Sequence, residues 1–142
     1  MLQFATFRLG GYLFGIEVVK VQEVLRYQRM TAVPLAPPEV AGLINLRGQI
    51  VTALDLRSRL GLPPRPDDKL PMNVVVRTPE GSLSLLVDEI GDVIEVGEDS
   101  FERPPATLIG PARLLVRGAY KLDDRLMLVL DIERTVAVAA AA

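Results

Sequence analysis

The amino-acid sequence predicts an all-β fold made of two small barrels that repeat one another, with short helical turns and a C-terminal helix. Three observations carry this expectation. Segments rich in aromatic and β-branched residues are paired across turns of two to four residues, the mark of hairpins. The stretch Gly61-Leu62-Pro63-Pro64-Arg65-Pro66-Asp67-Asp68 is too rich in proline and charge to form an element, and it divides the chain near its middle. The two sides of that division match each other in two ungapped blocks.

Taken in order, residues 4–9 and 12–18 flank Gly10-Gly11, which supply the positive φ angles of a two-residue turn, and form the first hairpin. Val18, Val21 and Leu25 recur at helical spacing; the β-branched run 18–24 also suits a strand, but a short helix is expected. Prolines 34, 37 and 38 make residues 30–38 an irregular surface connection. Residues 43–46 and 49–56 flank Arg47-Gly48 as a second hairpin, and Ile50, Val51, Ala53 and Leu54 predict a strand buried on both faces. Beyond the linker, residues 72–78 and 83–88 bracket Pro79-Glu80-Gly81-Ser82 as a third hairpin. Residues 97–112, with three prolines, are expected to be irregular, and residues 113–120 and 125–131 form the last hairpin. The alanine-rich segment 132–142 favours helix, with fraying of its last few residues.

Aligning Gly42 with Gly118, a separation of 76 residues, pairs Leu46 with Leu122, Ile50 with Leu126, Leu54 with Leu130, Asp55 with Asp131 and Leu56 with Ile132. Aligning Val21 with Ile90, a separation of 69, pairs Ile16 with Leu85, Val18 with Val87, Glu23 with Asp92, Val24 with Val93 and Leu25 with Ile94. The chain is therefore expected to be a single domain, 1–142, of two halves near 1–62 and 70–142, with an exchange of strands between the barrels left open. Each half holds four or five short strands, and such a sheet hides its edges best by curling into a barrel. Half of this chain alone would be marginal, so the barrels should share apolar surface, leaving a groove between them for docking.

Composition removes whole classes of function. There is no Cys, hence no disulfide, thiolate zinc site or cysteine nucleophile, and no His, hence neither the commonest general base nor the commonest metal ligand. No cofactor is expected. A net charge of −2 with 5% aromatic residues offers no basic, stacking face for nucleic acid. Apolar runs stop well short of the ~18 residues needed to span a bilayer, so no direct membrane insertion is expected and the reading is cytoplasmic.

The run Gly42-Leu43-Ile44-Asn45-Leu46-Arg47-Gly48-Gln49-Ile50-Val51, followed by Leu54-Asp55-Leu56-Arg57, resembles the most recognisable segment of the CheW-like family. The other expected pieces surround it in order: Phe7-Arg8-Leu9-Gly10, Gly15-Ile16, Lys20-Val21-Gln22-Glu23-Val24, Thr31-Ala32-Val33-Pro34, and later Leu86-Val87-Asp88 with Val93. The resemblance covers nearly the whole chain except the central linker and the alanine tail. It implies two five-stranded β-barrels, no catalysis, and a place in arrays formed with the cytoplasmic tip of chemoreceptors and the regulatory domain of a CheA-type histidine kinase. Two departures, Val51-Thr52-Ala53 in place of a proline-containing strand and Leu35-Ala36-Pro37-Pro38 in place of a more polar turn, touch the detail of the connections.

By sequence physics alone Arg47 is a solvated turn residue, since loop tips tolerate almost anything. The resemblance reverses that and implies partner binding, for which a planar guanidinium suits carboxylates. It likewise makes Glu23, otherwise the wet face of an amphipathic segment, a binding residue. Asn45 is expected to shape its turn, and Gly42 and Gly48 to serve the backbone, with Gly42 also permitting close approach of another chain. Val21, Val24, Val87 and Val93 are core by default, but the repeat and the resemblance place them near the groove between barrels, so they and Leu46 are expected among the partner-binding residues. The acidic pairs Asp67-Asp68 and Glu98-Asp99 lie in exposed stretches unsuited to pKa tuning.

The expected function is thus a non-enzymatic adaptor coupling chemoreceptors to a CheA-type kinase, monomeric alone and recruited to membrane-associated arrays. The alternatives are an adaptor of a related pathway controlling pili or surface motility, a small-barrel nucleic-acid binder, and a carboxylate-based enzyme with two acids facing across a cleft.

Overall fold

The computed structural model describes residues 1–141, with side chains described as far as Ala137. Strands β1 (Leu2–Leu9) and β2 (Tyr12–Glu17) meet at Gly10-Gly11, with φ of 56° and 88°, the two-residue turn that matches strand twist. After a 3₁₀ turn (Val18–Lys20) comes β3 (Val21–Leu25), then β4 (Val40–Leu46), β5 (Gln49–Asp55) and the one-turn helix α1 (Leu56–Leu60). The second part runs β6 (Met72–Thr78), β7 (Gly81–Val87), β8 (Glu89–Val96), a 3₁₀ turn (Glu98–Ser100), β9 (Phe101–Glu102), α2 (Pro111–Leu115), β10 (Val116–Lys121), β11 (Leu126–Leu130) and α3 (Ile132–Ala141).

The strands form two sheets, ordered β8-β1-β2-β11-β10-β9 and β3-β6-β7-β5-β4. Each sheet draws one hairpin from each side of the central linker and joins them by a parallel pair, β2 with β11 and β5 with β7. The two separations found in the sequence carry one set of pairings onto the other. Leu128 opposite Phe14 becomes Thr52 opposite Leu83, Phe7 opposite Ile90 becomes Val76 opposite Val21, and Gly118 opposite Val129 becomes Gly42 opposite Ala53. Asp55 and Asp131 cap α1 and α3 through their carboxylates, and their N–H groups donate at 2.7 Å to Glu39 and Leu115, themselves 76 residues apart.

Three cores follow from strand alternation. The largest lies between the sheets, where Phe7, Phe14 and Ile16 of one meet Val74, Val76, Leu85 and Val87 of the other, with Leu56, Leu60 and Ile132 from the helices. Intervening residues point the opposite way. Val75, Leu86, Ile44 and Val51 form a smaller core on the other side of the five-stranded sheet, and Phe4, Leu13, Tyr120 and Met127 form one on the other side of the six-stranded sheet. Burying both faces of β6 and β7 is what makes Asn73-Val74-Val75-Val76 continuously buried.

Four expectations are corrected. The sheets hold six and five strands and neither closes by a hydrogen-bonded ladder, because the segments that would complete them are irregular and rich in proline. The short helix expected near Val18 is only a 3₁₀ turn; β-branched Val21 and Val24 instead pair with Val76 and Val74 of β6. Residues 113–115 belong to α2, started by Pro111 in the first helical turn, rather than to the last hairpin. Ile50 is 65% exposed, since the strand alternation that buries Val51 turns its neighbour outward. The fraying expected at the end of α3 lies outside the described side chains.

Candidate functional site

The β4–β5 hairpin turns at Arg47-Gly48, with Leu46 opposite Gln49 and φ of 51° and 90°. Arg47 thus holds the left-handed conformation that Gly10 holds in the first hairpin, at a cost of about 1 kcal/mol for a residue with a Cβ. Asn45 supports the turn by accepting the Gly48 N–H on Oδ1 at 2.9 Å. The strain therefore sits at the tip most expected to meet a partner.

The Arg47 guanidinium, 70% exposed, donates through one Nη to the carboxylate of Glu23 on β3, itself 21% exposed. Since β3 and β4 are the two edges of the five-stranded sheet, this contact requires the sheet to curl until its edges face each other. A backbone bridge does the same: Thr31 and Leu43 exchange both N–H···O bonds at 2.8 Å. Gly42 is buried directly beneath, where a Cβ would come within 2.8 Å of the Thr31 carbonyl, so its glycine serves close backbone approach within the chain. Outside this seam, Gln28, Arg29, Leu43, Asn45 and Ile50 line an open groove of about 490 Å³. The seam combines an exposed cation, a half-buried anion and an exposed isoleucine, a composition suited to protein contact.

The other candidates divide. Val24, on β3, is 44% exposed, and Val93, its counterpart on the edge strand β8 of the other sheet, is 58% exposed. Val21 is partly buried against the central core. Val87 is fully buried there and Leu46 lies in the smaller core, because alternation points both inward, so neither offers surface to a partner in this conformation.

Sequence reasoning missed a second constellation centred on Asp88, just after β7. Arg57 grips its carboxylate with Nε at 3.0 Å and Nη2 at 2.6 Å, Arg65 adds Nε at 2.9 Å, and the Gly10 N–H donates at 2.9 Å. Burial by itself would push this carboxyl up. The hydrogen bonds from Arg57, Gly10 and Arg65, with the Arg57 charge, outweigh burial and hold it below the ordinary range. Arg57 also donates to the Pro63 and Pro64 carbonyls, so the proline-rich linker is pinned to the body. No local pattern in the sequence signalled it, because Arg57 and Arg65 lie 31 and 23 residues from Asp88. Asp67, Asp68, Glu98 and Asp99 are exposed, and among the described residues no group of three acidic, His or Cys side chains is placed to hold a metal.

Comparison with known proteins adds the following. A family model described as the CheW-like domain matches residues 3–140. The chain is 29% identical over 136 residues to the chemotaxis protein CheW of Treponema pallidum (strain Nichols), covering 93% of this chain and 80% of that protein. It is 29% identical over 118 residues to protein PilI of Pseudomonas aeruginosa, covering 83% and 66%. Its fold is similar to the crystal structure of the scaffolding protein TtCheW from Thermoanaerobacter tengcongensis, with a TM-score of 0.81 and 30% identity over 91% of this chain and 88% of that one.

Proposed function

Because the chain belongs to the CheW-like family of scaffolding proteins, which are not enzymes, we propose that it is an adaptor that couples chemoreceptors to a CheA-type histidine kinase. Its partners are the cytoplasmic tip of a receptor and the kinase regulatory domain, and it joins receptor arrays through them. The observation that carries this reading is the curled edge of the five-stranded sheet, where Arg47 is held outward by Glu23 beside exposed Ile50. The proposed contacts are Arg47, Glu23, Asn45 and Val24 there and Val93 on the other sheet, with Val21, Gly42, Leu46 and Val87 supporting them from within.

On this proposal 1–142 is one domain of two interleaved repeats, near 1–62 and 70–142, whose five-stranded sheet closes through the Arg47–Glu23 contact and the Thr31–Leu43 bridge rather than by a ladder. By itself the adaptor is expected to sediment as a monomer. Among the described residues no helix is long and apolar enough to cross a membrane, which accords with recruitment through partners. The likeness to PilI supports a second reading, an adaptor of a related chemosensory pathway controlling pili or surface motility.

The test is copurification of the chain with a receptor tip fragment and a kinase regulatory domain, offered separately and together. Retention of both at equimolar ratio is expected. Failure of either to bind would remove the adaptor reading.

A further inference from the structure

The two places where a hairpin turn meets a helix are built alike but finished differently. Gly10 and Gly11 correspond to Pro79 and Glu80 under the separation of 69, and Leu56, Leu60 and Gly61 correspond to Ile132, Val136 and Ala137 under that of 76. At the first junction α1 ends on Gly61 in the left-handed conformation, φ 74°, and the N–H groups of Gly61 and Leu62 return to Ser58 and Arg57. The chain doubles back, and Leu62 packs against the central core, 3.6 Å from where a Cβ on Gly10 would stand. The junction is filled by the chain itself.

At the second junction an alanine stands in the place of Gly61, without positive φ, and α3 continues through it, so among the described residues the chain does not turn back there. A groove of about 390 Å³ is present, with Pro79, Ile132, Val136 and Ala137 as its apolar lining and Lys20, Arg77, Glu80 and Glu133 around it. We infer that this groove docks an extended segment of another protein, one carrying a leucine-sized anchor beside a basic residue. The filled junction supplies the anchor, Leu62. The charge follows from the correspondence of Arg57, which donates to the carbonyls of its filler, with Glu133, which can only accept. Glu80 and Glu133 make no ion pair among the described residues, whereas Lys20 faces Glu17 and Arg77 is occupied by the Val19 and Val21 carbonyls. This surface is separate from the Arg47 seam and does not depend on the adaptor reading.

The probe is the peptide that fills the first junction, acetyl-Gly-Leu-Pro-Pro-Arg-amide, titrated into the isotope-labelled full chain by NMR. Saturable shifts are expected at the Thr78 and Glu80 amides and the Ile132 and Val136 methyls, and they should vanish when the peptide leucine is replaced by aspartate. Ala137→Trp, at an exposed position on the groove wall, should weaken binding about tenfold or more with an unchanged unfolding midpoint. If that variant unfolds early, Glu133→Lys, at an exposed carboxylate, reads the charge requirement through a several-fold loss. Absence of saturable shifts, shifts elsewhere, or binding indifferent to both changes overturns the inference. So does finding the groove already held by the chain's own last residues or by a second copy.

Discussion

Arg47 and Glu23 stand 24 residues apart in the chain, on the tip of one edge hairpin and on the opposite edge strand of the same sheet, and their side chains meet across its open side. The pair uses one Nη of a guanidinium with five N–H donors, so Arg47 remains largely available while its direction is set. An exposed pair contributes ~1 kcal/mol or less to stability, whereas an interface arginine contributes ~2 kcal/mol or more to binding.

Arg47→Asp should therefore separate fold from assembly. Aspartate tolerates the left-handed backbone, so the expected loss of stability is about 1 kcal/mol or less, from repulsion with Glu23. Affinity for receptor tip or kinase domain should fall roughly 30-fold. Thermal unfolding with parallel titrations reads both, and unchanged affinity for both partners returns Arg47 to an ordinary turn residue.

Asp88→Asn should be far more damaging although it lies away from the seam. It leaves Arg57 and Arg65, whose side chains are 13% and 11% exposed, without their counter-charge, at a cost of about 3 kcal/mol. Denaturant unfolding measures it, and the linker should become a protease target in the variant but not in wild type.

The same carboxylate sets a pH dependence. Its pKa is lower folded than unfolded, so its stabilisation is complete above the ordinary aspartate value of about 4 and drains as pH falls through the lower folded-state value. Wild-type stability should decline over that acid window, and the decline should be shallower in Asp88→Asn. Parallel slopes for the two proteins would show that Asp88 is not the group responsible.

Gly42→Ala should open the seam without touching a charged residue. Its Cβ would stand 2.8 Å from the Thr31 carbonyl and 3.1 Å from Met30 Cβ, both held by the Thr31–Leu43 bridge, so a loss of roughly 1 to 3 kcal/mol is expected. Hydrogen exchange should quicken at Thr31 and Leu43 first. Protection equal to wild type at both amides would contradict the assigned role.

Leu35→Asn should stabilise the protein. Leu35 is fully exposed with φ of 65°, on a turn closed by Ala36 N–H donating to Val33 at 3.3 Å, so it buries nothing and bears left-handed strain. Asparagine suits that backbone, and a gain of about 0.5 kcal/mol is expected in thermal unfolding. A loss would mean that the leucine side chain has a contact in the folded protein.

The sequence by itself determined what local chemistry can decide. Gly10-Gly11 and Gly48 announce their hairpins because such turns need positive φ, the ladders keep the separations of 69 and 76, and the run around Arg47 carries the family resemblance. Asn45 shapes its turn as its short amide allows. Tertiary structure alone decided which strand partner each segment takes. Residues 18–25 look helical by spacing, yet β6 offers Val21 and Val24 a ladder that an isolated segment lacks. Ile50 and Val51 are equally apolar, and only the packing of the sheet decides that strand alternation buries Val51 and turns Ile50 outward. The pairs Arg47 with Glu23 and Arg57 with Asp88 join residues that no local pattern connects, because an ion pair depends on distance in space and leaves no periodicity along the chain.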